Sequence, residues 1–85
     1  MNNPINYQMA QEQFEFALSR VEYYQDKIVR LINRYGTGVR PSWVSTDLAM
    51  DGYHRDQWQK EADRLEQWVL SFEAKQDALA EQEGE

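Results

Sequence analysis

Tyr7, Phe14, Val21, Ile28 and Tyr35 stand seven residues apart, and so do Trp58, Leu65, Phe72 and Leu79. Ala10, Ala17, Tyr24 and Leu31 follow the first four by three residues. Leu18 and Ile32 add a partial row, Ala62 and Val69 fill in the second run, and Trp68 flanks it. Apolar residues recurring at three, four and seven mark one side of an α-helix, whereas a half-buried strand alternates with a period of two. Both runs are broad enough for helices that pack on more than one neighbour. The chain therefore reads as all-α.

Gly36, Gly38 and Pro41 end regular structure between the runs. The first helix is placed at about 4–35, with Pro4 suited to a first turn and Gly36 to a left-handed stop. A turn over 36–45 follows. Ser45, Thr46 and Asp47 are candidate N-caps for a second helix over about 46–81, ahead of an acidic tail at 82–85. Gly52 is the weak point of that helix, costing roughly 1 kcal/mol against alanine. A continuous helix is the expectation, with a bend near Gly52 as the alternative. Two helices of this length joined by a short loop pack as an antiparallel hairpin, one domain spanning 1–85. A lone hairpin leaves wide apolar stripes half exposed. Dimerisation into a four-helix bundle is therefore expected.

Composition narrows the functional classes. An 85-residue chain buries only about 60–65% of its unfolded surface, and this one has no cysteine to brace it. His54 stands alone, so no metal site and no cofactor are expected. Mean hydropathy is −0.88 and no run matches a membrane span, which points to a soluble protein. The N-terminus lacks the basic and apolar segments of a secretory signal, so the expected location is cytoplasmic. Carboxylates cluster at Glu12/Glu15, Glu22/Asp26 and Glu61/Asp63/Glu66, yet the Glu-Glu-x-x-Glu run of helical nucleotide pyrophosphohydrolases is missing. Glycine-rich phosphate loops and His-Glu-x-x-His are absent too, and the expectation is a non-enzymatic protein.

Three features point to contact surfaces. Met9, Phe16 and Tyr23 form a second row, about 160° round the first helix from Tyr7, and such rows mark interfaces. Arg30, Arg34, Arg40 and Trp43 surround the turn; residues 27–46 carry +4 with no acid, between ends of −3 and −7. The net charge of −6 argues against nucleic acid and membrane surfaces as partners. In an antiparallel homodimer the basic turn lies beside the partner's acidic ends, which sets orientation. The alternative surface is acidic: Glu61, Asp63, Glu66, Glu73 and Asp77 on the second helix.

The plan, an acidic helical hairpin with a tryptophan at the turn, resembles the WXG100 proteins. Here the turn reads Trp43-Val44-Ser45 without their glycine, and no tyrosine follows Tyr53 to form their C-terminal signal. Paired hairpins resemble the Rop-type bundle in architecture. In size and charge the chain is similar to phage-encoded inhibitors, anti-CRISPR proteins among them. The expected function is a protein–protein interaction module that self-associates or binds a partner protein. The alternative is an acidic inhibitor that occupies a nucleic-acid-binding protein.

Overall fold

The computed structural model describes residues 3–83, with side-chain packing through Leu79. It contains two helices, α1 (Tyr7–Tyr35) and α2 (Ser42–Glu83), packed side by side as an antiparallel hairpin. Among the described residues there is no strand.

The helix ends differ from the sequence expectation for local reasons. Pro4 does not open α1 but lies buried in the segment before it. Asn6 is the N-cap: its extended backbone (φ −151°, ψ 172°) lets the side-chain oxygen accept the Met9 N–H at 2.8 Å. At the other end Gly36 takes φ 74° and donates its N–H to the Ile32 carbonyl at 2.7 Å.

α2 begins four residues earlier than expected. Ser45, Thr46 and Asp47 therefore lie inside its first turns and do not cap it. The helix starts directly after Pro41, whose carbonyl accepts the Val44 N–H at 3.0 Å. Arg40 ties the turn across its mouth, donating to the Gly36 carbonyl at 2.8 Å and to Ser45 Oγ at 3.3 Å. α2 runs through Gly52 without a break and continues to Glu83. Residues 82 and 83 of the expected tail are thus helical, while Gly84 and Glu85 lie outside the described residues.

Contacts across the seam fix the register. Tyr35 meets Trp43, Lys27 meets Asp51, Tyr24 meets His54 and Tyr7 meets Glu73, pairs whose numbers sum to 78 or 80. α2 therefore projects beyond the start of α1 after about Glu73, and Leu79 is 59% exposed despite its place in the heptad row. The fully buried centre is small-residue rich. Ala17, Ala62 and Leu65 interlock, with Phe14 and Trp58 packed against them, and Ala10 and Val44 are also sealed.

The result is one layer thick. The Cα envelope measures 66 × 22 × 13 Å, and the radius of gyration of 18.7 Å compares with roughly 12 Å for a compact domain of this length. Accessible surface is 6339 Å², against roughly 5,300 Å² for a compact monomer of this mass. Both broad faces are open.

Candidate interaction surfaces

Two helices side by side present two broad faces, set by residues about 90° either side of the seam. Here the two faces differ in chemistry.

The first is aromatic and basic. Phe16 meets Trp58 edge-on at 5.5 Å, Tyr23 meets Tyr24 at 5.0 Å, and Tyr24 stacks on His54 at 5.3 Å. Trp68 and Phe72 extend the belt along α2, and Trp43 packs edge-on against Tyr35 at the turn. Cations lie over these rings: Arg20 is 4.7 Å from the Tyr23 centroid, Lys27 5.6 Å from the same ring, Arg34 5.5 Å from Tyr35 and Lys75 5.6 Å from Phe72. Among the described residues Arg20, Arg34 and Lys75 have no carboxylate partner, whereas Lys27 also pairs with Asp51 in the seam.

The expected Met9, Phe16 and Tyr23 row falls on this face, Phe16 and Tyr23 about half exposed. It is not turned away from the second helix, as the sequence geometry suggested, because α2 sits close enough for Trp58 to reach Phe16. Arg34 and Trp43 join the same face. Arg30 stands exposed on the outer edge of α1. Arg40 is engaged in closing the turn and is separate from the rest.

The second face is aliphatic and acidic. Leu18, Val29 and Ile32 of α1 are 37–43% exposed beside half-buried Val21 and Ile28. Across the seam run Asp63, Glu66, Glu73 and Asp77 of α2. Tyr7 donates its hydroxyl to Glu73 at 3.0 Å, which raises the tyrosine's pKa, and Arg55 donates to Gln25 at 2.9 Å. Glu61 does not belong with these acids. At 100° per residue it turns to the aromatic side, where Arg64 binds it and also reaches Asn3. That pairing holds the Glu61 carboxyl below its ordinary pKa.

One functional group escaped the sequence reading. Asp51 is buried in the seam with only 5% exposure, paired to Lys27 Nζ at 3.2 Å. Its second oxygen, Oδ2, has no hydrogen-bond partner among the described residues. The hydrogen bond from Lys27 raises the lysine's pKa. The signal was present: Val44 and Asp51 extend the Trp58, Leu65, Phe72 row backwards by sevens.

No set of three or more His, Asp or Glu among the described residues is placed to hold a metal ion. A shallow depression of about 250 Å³ lies against Gln67, Trp68 and Ser71, open to solvent. No described helix is long and apolar enough to cross a membrane. No protein-family model matches the chain, and no curated protein or solved structure is significantly similar to it.

Proposed function

We propose that this chain is a non-enzymatic protein–protein interaction module whose two open faces are covered by another chain in its working state. The observation that carries the reading is the single layer. Stable domains bury their apolar stripes between at least two layers, and this hairpin supplies one. Among the described residues six hydrophobic side chains are buried, while Phe16, Tyr23, Trp43, Leu18 and Val29 remain between 37% and 56% exposed. Apposing a second hairpin on one face gives a four-helix, two-layer arrangement, the simplest completion of the core.

Proximity labelling in cells tests this. The native chain is expected to label a defined set of proteins, itself included if it self-associates, and Phe16→Ala with Tyr23→Ala is expected to lose them. Labelling unchanged by the double substitution would contradict the proposal.

A second reading is favoured by the alignment of Asp63, Glu66, Glu73 and Asp77 beside a single base, Arg55, on the other face. It is an acidic inhibitor that mimics nucleic acid towards a basic binding protein. Neutralising those four acids, with the aromatic face intact, would then abolish binding; retained binding would exclude it.

A further inference from the structure

The two faces are complementary to each other. We propose that the partner is a second copy of this chain, docked with its aliphatic, acidic face on the aromatic, basic face of the first. The proposal rests on the interaction-module reading and specifies its occupant.

Charge and shape argue for this occupant. The cations of the aromatic face lie mainly on α1, and Arg20, Lys27 and Arg34 are spaced by sevens. The acids of the opposite face lie mainly on α2, and Glu66 and Glu73 are likewise seven apart. Turning the second copy half a revolution about the normal to the layer sets its α2 over the first copy's α1. The two helices then run in the same chain direction, so equal spacings stay in step. With the hairpins overlapped along their length, Arg20 comes level with Glu66, and Lys27, still 43% exposed beside Asp51, comes level with Glu73. The same rotation places the first copy's Trp68 and Phe72 over the second copy's Val21 and Val29. Without the rotation, cations would rest on aliphatic side chains and aromatic rings on carboxylates.

The available area is sufficient. A face of 66 by 22 Å exceeds the roughly 800 Å² per partner of a standard stable interface. Because unlike faces meet, each added copy presents both faces again. The contact is heterologous and does not close, so assembly continues beyond two copies.

The test uses sedimentation velocity on the full chain and on two face-blocked variants, with helicity checked by circular dichroism. Phe16→Glu with Arg20→Glu blocks the aromatic face; Leu18→Glu with Val29→Glu blocks the other, and two acidic blocked faces cannot pair with each other. Wild type is expected to grow past two copies with concentration and to shrink with added salt. Each helical variant alone is expected to remain a single 10.1 kDa chain. Their mixture is expected to form a one-to-one pair and nothing larger, since one open face of each kind remains. A wild type that stays monomeric, a variant that dimerises by itself, or a helical mixture that fails to pair would each overturn the arrangement. A monomeric wild type would leave the labelling experiment to decide the broader reading separately.

Discussion

Asp51 and Lys27 meet across the helix seam at 3.2 Å, the carboxylate buried and the ammonium 43% exposed. Asp51 sits where the heptad row would otherwise place an apolar side chain, and the pair ties α1 to α2 at that level of the seam. Lys27→Met leaves a buried carboxylate without a partner and should cost about 1–3 kcal/mol in urea unfolding at fixed low concentration. Adding Asp51→Leu should recover most of that loss. If the double variant were as unstable as the single, the cost would lie elsewhere.

Position along one heptad row separates two leucines. Leu65 is 1% exposed and Leu79 is 59% exposed. Leu65→Ala should destabilise by about 2–4 kcal/mol, and Leu79→Ala by less than about 0.5 kcal/mol at dilution. Equal costs would mean the projecting end of α2 is packed.

Acid should weaken the fold through Glu61. Its pKa is lowered from 4.5 by the hydrogen bond from Arg64, so its contribution is complete above the unfolded value and lost as pH falls through the folded one. Lys27 has the opposite sense: its raised pKa makes its contribution complete below 10.5 and lost at higher pH. Unfolding midpoints of wild type and Glu61→Gln should therefore differ at pH 7 and converge below pH 4.5. A constant difference would remove Glu61 from the acid response.

Two glycines should respond with opposite signs. Gly36 has φ 74° and ψ −171°, a region L residues avoid, so Gly36→Ala should cost about 1–3 kcal/mol. Gly52 is helical, and an added Cβ meets nothing within 4 Å. Gly52→Ala should stabilise by up to about 1 kcal/mol, read as a higher thermal midpoint. A fall in that midpoint would show that α2 needs flexibility there.

The seven-residue rows made both helices and their antiparallel packing legible in the sequence, because burial follows helical period directly. The start of α2 was not legible. Three good capping residues at 45–47 drew the boundary inward, while Pro41 and the Arg40 clasp determine it. Helical angle on α1 alone sets Phe16 on a surface of its own; across the seam Trp58 meets it. The +4 window was real in sequence, yet folding sets Asp51 of α2 against its Lys27. Charge is consequently sorted by face as well as by end, a property that depends on which helix side each residue occupies.

A single layer completed by another chain should gain stability as that chain is supplied. Thermal unfolding across a thousandfold range of chain concentration tests it most directly. Mass action predicts a marginal midpoint at the lowest concentration that rises as chains associate, or on adding a bound partner. A monomer with a high midpoint, unchanged at every concentration and with no partner present, would show that the hairpin is complete by itself.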